Sequence, residues 1–131
     1  MSELARDVLI IQPEMIRWTN VDEGAEVAVL AGNPDMPGEH YTLRFRTSRE
    51  SKVAAHWHPE DEHVTVLEGP FLLGFGGVFE PSLLKSIPPG SYVYVPRKTR
   101  HFAMYGAGTI VQVNGVGPFE TIYVNARLGE G

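Results

Sequence analysis

The apolar and polar positions divide the chain into many short segments with few long periodic ones. Residues 40–47 alternate, with Tyr41, Leu43 and Phe45 on one face and Thr42, Arg44 and Arg46 on the other. A period of two is the signature of a half-buried antiparallel strand with its arginines outward. Residues 8–12 read as a first strand, apolar enough to be buried or paired with another subunit, and residues 15–19 as a second or as its continuation across Pro13. Residues 25–31 form a strand ending at Gly32, and residues 32–38 are a loop that contains the turn residues Gly, Asn, Pro and Asp. Residues 53–58 and 62–68 are two further strands around a bend at Pro59. Residues 71–77 follow, and Gly74, Gly76 and Gly77 within them predict a bulge or a close backbone approach. Residues 80–86 are the helical candidate, a single turn. Residues 91–95, 100–105, 109–114 and 120–125 complete the strands, and residues from 127 on read as a loose tail. About ten short strands punctuated at roughly 8–12-residue intervals predict an all-β sandwich or barrel.

Composition narrows this picture. A chain of 131 residues with 43% apolar content is one globular domain, residues 1–131, with room for a real core. The 14 glycines and 10 prolines fit many turns. There is no cysteine, so any metal must be held by nitrogen and oxygen. The net charge of −5 argues against a nucleic-acid partner, which needs a basic face. No run approaches the ~20 apolar residues of a membrane span, and the first seven residues are too charged for a signal peptide, so a cytoplasmic location is expected.

Chemistry concentrates in residues 55–69, where His56, His58 and His63 stand among Glu60, Asp61 and Glu62. Histidines two apart on a strand point the same way, so His56 and His58 can aim both imidazoles at one point. Pro59 breaks the strand, and a carboxylate from the next run, at Glu62, can fold back towards that point. Glu60 and Asp61 read as solvated bend residues, and His40 as an exposed histidine after a glycine turn.

The spacing His56-x-His58-x3-Glu62-x6-Gly69, followed by Gly90-x5-Pro96 and His101, resembles the two motifs of the cupin superfamily. The motifs span residues 50–105. Departures fall at Glu50 and Lys98, where the motifs have glycine, and at Tyr105, where the second has asparagine. Lys98 in a left-handed turn would be strained, so that turn is expected to differ. The resemblance implies a single cupin-type antiparallel β-barrel (a double-stranded β-helix, or jelly roll). It also implies that His56, His58, Glu62 and His101 direct one divalent metal, Fe, Mn, Ni or Zn, to the barrel interior. Glu62 rather than His63 keeps the step to Gly69, which leaves His63 on the opposite face of the strand.

Two functions follow from the resemblance. The first is a metal-dependent enzyme on a small organic substrate, foremost a dioxygenase, with isomerase, hydrolase or decarboxylase chemistry as variants. Glu62 would be its catalytic group, alternating between ligand and proton acceptor. The second is a non-catalytic cupin that binds or senses a small ligand through the same metal. Phe102, Tyr105 and Gln112 are candidates to line the substrate cavity. Arg97, Lys98 and Arg100 crowd the turn before His101, where an exposed turn is the simpler reading than a guide for anions. A homodimer is expected, with residues 8–12 covering an open sheet edge.

Overall fold

The computed structural model describes residues 7–125. Eleven strands follow one another, broken by two 3-10 turns, Pro13–Met15 and Pro81–Leu83. They are β1 (Thr19–Asp22), β2 (Ala25–Gly32), β3 (His40–Thr47), β4 (Ser51–Trp57), β5 (Glu62–Glu68) and β6 (Phe71–Phe75). β7 (Lys85–Ile87), β8 (Tyr92–Val95), β9 (His101–Tyr105), β10 (Ile110–Val116) and β11 (Ile122–Tyr123) complete the set. All pairings are antiparallel.

Two sheets result, one of five strands in the order β11-β4-β9-β6-β7 and one of six in the order β1-β2-β3-β10-β5-β8. They face each other as a jelly roll and are not hydrogen-bonded into a closed barrel. The alternation read in residues 40–47 explains their contact: Tyr41 and Leu43 are buried, while Thr42 and Arg44 on the other face are only half-buried. Tyr41 and Leu43 join Val64, Val66, Val111 and Val113 of the same sheet and Phe71, Leu73 and Ala103 of the opposite one in a single core. Each large side chain among them contributes roughly 1.5–3 kcal/mol by leaving water.

Four sequence expectations change. Residues 8–12 form no strand; Val8, Leu9 and Ile10 are 84%, 65% and 67% exposed. Their apolar character is real, but no strand among the described residues pairs with them, and Pro13 diverts the backbone into a 3-10 turn. The next strand therefore starts at Thr19 rather than at residue 15. Residues 80–86 divide between a 3-10 turn, capped where the Glu80 carboxylate accepts from the Ser82 amide, and β7. The last strand shrinks to β11. The tail read from residue 127 lies outside the described residues. Among the described residues no helix is long and apolar enough to cross a membrane.

The glycines of residues 71–77 have a packing reason. A Cβ at Gly74 would collide with the ring of Phe102, its partner across β6 and β9. The backbone of one strand is thus the floor on which a fully buried phenylalanine lies.

Candidate metal centre

The fold brings His56, His58, Glu62 and His101 together from two strand pairs. His101 opens β9 directly across from His56 on β4. His58 follows β4 after one residue, and Glu62 opens β5 on the facing sheet. The turn that delivers His101 is tied to His58, because the Lys98 amide donates to the His58 carbonyl at 2.8 Å. Lys98 itself is left-handed, with φ of 65°, so the turn keeps the glycine-type conformation despite a Cβ, at roughly 1–2 kcal/mol.

Each imidazole is oriented by its backbone. His56 Nδ1 donates to the Ala54 carbonyl at 2.7 Å, His58 Nδ1 to the Glu120 carbonyl at 2.7 Å, and His101 Nδ1 to the Thr99 carbonyl at 2.9 Å. A carbonyl can only accept, so Nδ1 carries the proton in all three rings and each Nε2 presents a bare lone pair. The ring centroids stand 4.2–5.1 Å apart, and one ligand atom from each ring lies within 4.8 Å of the others. Phe119 stacks on His58, with centroids 4.9 Å apart, and holds it in place.

Glu62 completes the cluster. Its Oε1 lies 3.5 Å from His58 Nε2 and 3.7 Å from His101 Nε2. These are too long for hydrogen bonds. Two ligands about 2.1 Å from one cation would stand roughly 3.0–3.4 Å apart, close to this spacing. Three imidazole lone pairs on rings 4–6% exposed stand close together, with the Glu62 carboxyl beside two of them, which fits a bound cation. The three histidines can hold a metal ion.

Electrostatics point the same way. Burial, reinforced by His101, lowers the pKa of His56 from its usual 6.5 to about 3, and burial lowers that of His58 to about 4. Burial also lowers that of His101. All three are therefore neutral at pH 7, the form that binds a metal. Burial raises Glu62 to about 7. Tyr41, 1% exposed, sits opposite Gly115 on β10, and Gly115 sits opposite Glu62. The tyrosine hydroxyl lies 3.3 Å from where a Cβ of residue 115 would stand, so glycine lets it approach the carboxylate. Burial, and then the charge of Glu62, raise the Tyr41 pKa and keep it a neutral phenol.

A small cavity opens from the cluster, lined by His56, Glu62 and His101 and by side chains of both sheets, Tyr105 among them. It offers about 40 Å³ to the centres of water-sized molecules, room for roughly three waters.

Two of the proposed cavity residues lie elsewhere. Phe102 is fully buried on the opposite face of β9 from His101, Ala103 and Tyr105, packed beneath Phe79 with centroids 5.2 Å apart. Gln112 is on the opposite face of β10 from Val111 and Val113, and its Oε1 accepts from Arg44 Nε at 2.9 Å. In both cases strand alternation turns the side chain away. His63 faces away from the cluster too: it lies against Tyr92 and Tyr94, with Nδ1 2.6 Å from the Tyr92 hydroxyl. Asp61 accepts from the Arg97 amide at 2.8 Å, and Arg97, Lys98 and Arg100 are exposed. Phe119, the Glu120 carbonyl, Tyr41 and Gly115 escaped the sequence reading. Backbone carbonyls carry no residue-type signal, although the intervals of two from Ala54 to His56 and from Thr99 to His101 are local enough to be found.

A jelly roll with three inward histidines and a glutamate gathered from its two motifs is a cupin. More narrowly, the chain belongs to the ChrR cupin-like domain family, whose model matches residues 6–119. Among curated proteins none matches the sequence. Several solved structures share the fold. An RmlC-like cupin from Shewanella frigidimarina is 18% identical with a TM-score of 0.65, over 83% of this chain and 89% of its own. An acetylacetone dioxygenase from Acinetobacter johnsonii is 16% identical with a TM-score of 0.63, over 86% and 75%. The anti-sigma factor ChrR of Rhodobacter sphaeroides, solved with SigE, is 20% identical with a TM-score of 0.58. That match covers 79% of this chain and half of the ChrR chain.

Proposed function

We propose that this chain is a cytoplasmic, metal-dependent cupin enzyme in which His56, His58, Glu62 and His101 hold one divalent Fe, Mn, Ni or Zn ion. Its substrate would be a small oxygen-bearing organic molecule in the adjoining cavity, and its reaction of the dioxygenase type. The observation that carries the reading is the set of three Nδ1–carbonyl hydrogen bonds, which leaves three Nε2 lone pairs close together with the Glu62 carboxyl beside two of them. Such fixed tautomers are the usual outer support of metal-bound histidine. A divalent ion there would polarise a substrate oxygen and, if redox-active, open oxygen chemistry.

The protein's own residues do the rest. The apolar walls exclude water and leave the substrate few orientations. Glu62 is the group there that could take or return a proton. It is the only one of the four that can do so without giving up an imidazole.

A second reading is favoured by the family itself: a cupin that binds metal and a small ligand as a sensor, as membership alongside the domain of an anti-sigma factor suggests. Elemental analysis of protein purified without added metal separates the two. Iron, manganese or nickel, with oxygen uptake on diketones, catechols or flavonols, supports the enzyme. Tight zinc without turnover on that panel would overturn it in favour of sensing.

The exposed Val8, Leu9 and Ile10 further support a homodimer, since three adjacent apolar side chains stay open to solvent among the described residues. Light scattering is expected to give twice the chain mass, and Val8→Ser with Ile10→Ser to give a monomer. A wild-type monomer at micromolar concentration would sink this part.

A further inference from the structure

The three imidazoles are not held alike. His56 and His101 donate from Nδ1 to carbonyls two residues earlier in the chain, Ala54 and Thr99. His58 lies one step beyond the end of β4 and donates to the Glu120 carbonyl, 62 residues further on. Its ring also stacks on Phe119, with centroids 4.9 Å apart. Two rings are thus set by their own stretch of chain, and the third by residues 119–120, which belong to no strand.

What fixes that segment is the exposed loop between β2 and β3. Asn33 folds the loop into a turn: its carbonyl accepts from the Met36 amide at 3.2 Å and its side-chain oxygen from the Asp35 amide at 2.9 Å. A second turn brings the Glu39 amide to the Met36 carbonyl at 3.2 Å. The loop meets residues 117–119 where the β3–β10 ladder ends, at His40 and Val116. The Gly38 amide donates to the Gly117 carbonyl at 3.1 Å, the Gly117 amide to the Glu39 carbonyl at 2.8 Å, and the Phe119 amide to the Pro34 carbonyl at 2.7 Å. Pro118 has no amide, so the amides on either side of it are both committed to the loop.

Gly117 makes this approach possible. A Cβ there would collide with the Met36 carbonyl oxygen and stand 2.9 Å from that of Pro34. Both are backbone atoms, and Gly117 is not among the left-handed glycines, so space and not conformation demands the glycine. Whichever side yields to a larger residue, the three hydrogen bonds cannot all survive.

Resting on the metal site proposed above, we propose that Gly117 and Phe119 are positioning residues for His58, clamped in place by the 33–39 loop. The metal's hold on His58 therefore depends on a loop that supplies no ligand. Loosening the clamp frees the His58 ring while His56, Glu62 and His101 keep their places. Outer partners of a ligating histidine contribute about 10–100-fold in metal affinity, and here His58 alone should feel the loss.

Cobalt(II)-loaded protein provides the test, by proton NMR of the metal-shifted imidazole N–H signals in H2O and after transfer to D2O. The wild type is expected to show three, one per histidine, all slow to exchange. In Gly117→Ala, one of the three should exchange at once, the one missing from His58→Ala at saturating cobalt. Cobalt affinity, by competition with a chelator, should fall about 10–100-fold. Phe119→Leu, which leaves the backbone contacts in place, should speed exchange of that same signal, and it carries the test if Gly117→Ala does not fold. Gly106→Ala is the control for destabilisation alone. Its Cβ would collide with the Pro70 ring, beyond the end of β9 opposite His101, and it should keep three slow signals and its cobalt. Three slow signals at wild-type affinity in both Gly117→Ala and Phe119→Leu would overturn the proposal. So would loss of all three alike in either, or loss of the His58 signal in Gly106→Ala. A wild type that takes up no cobalt overturns the metal site itself, and this proposal with it, so the two failures are distinguishable.

Discussion

His101→Ala is expected to release the metal, while His63→Ala keeps it. The two histidines are alike in composition and opposite in place. His101 faces Glu62 at 3.7 Å, its ring lies 4.2 Å from that of His56, and its Nδ1 is committed to the Thr99 carbonyl. Removing it leaves two imidazoles and a carboxylate around an enlarged void. Losing merely an outer partner of a ligand lowers metal affinity by about 10–100-fold, so loss of the ligand itself should cost more than about 100-fold. His63, on the outer face of β5 between Tyr92 and Tyr94, touches none of this. Metal stoichiometry after dialysis, with competition against a chromophoric chelator, measures both variants. His101→Gln, which retains more of the side-chain volume, guards against simple collapse of the site. Metal retained by His101→Ala and lost from His63→Ala would invert the assignment of the third histidine ligand.

That contrast shows how far the sequence carries. Strand periodicity reads residues 40–47 and 62–68 to the residue, because half-buried antiparallel strands write their two faces into alternate positions. Alternation also contains the answer for Phe102: if His101 points inward, its neighbour points outward. What hides it is the fate of the outer face, where Gly74 and Phe79 bury Phe102 completely, so that hydrophobicity alone suggests an interior cavity. Gln112 is harder, since the turn between β9 and β10 decides its parity. Residues 8–12 mislead for another reason. An apolar run reports a wish for burial, but a strand also needs a neighbour, and the neighbour is not local information. The same limit conceals the end of the chain at the centre: Phe119 and the Glu120 carbonyl reach His58 across 61 and 62 residues, through contacts no spacing rule encodes.

Metal-free protein is expected to lose stability steeply as pH falls below about 6.5, and to reach a plateau above about pH 7. The folded pKa values of His56, His58 and His101 lie below the unfolded value of 6.5, so their neutral forms favour the native state above 6.5 and the advantage disappears as pH falls. Glu62 runs the opposite way. Its folded value of about 7 exceeds the unfolded 4.5, so its contribution is complete below 4.5 and is lost as pH rises through 7. Between about pH 4.5 and 6.5 the unfolded chain can therefore bind up to three imidazole protons, of which the native state refuses those of His56 and His58 and disfavours that of His101, while native Glu62 keeps one that the unfolded chain has released. The net of two protons gives a slope of at most about 2.7 kcal/mol per pH unit, or roughly 10 °C in Tm for a domain of this size. Calorimetry of chelator-treated protein at pH 5, 6, 7 and 8 measures it. Glu62→Gln should steepen the acid limb towards three protons and raise Tm above pH 7, where the wild type must bury a charge. A bound divalent ion should flatten the neutral limb by compensating that charge, and below pH 6 it should be released as protons compete for the imidazoles. A metal-free Tm that stays level from pH 5 to 6.5 would mean that the three histidines are not held neutral by burial, and the electrostatic account of the centre would fail.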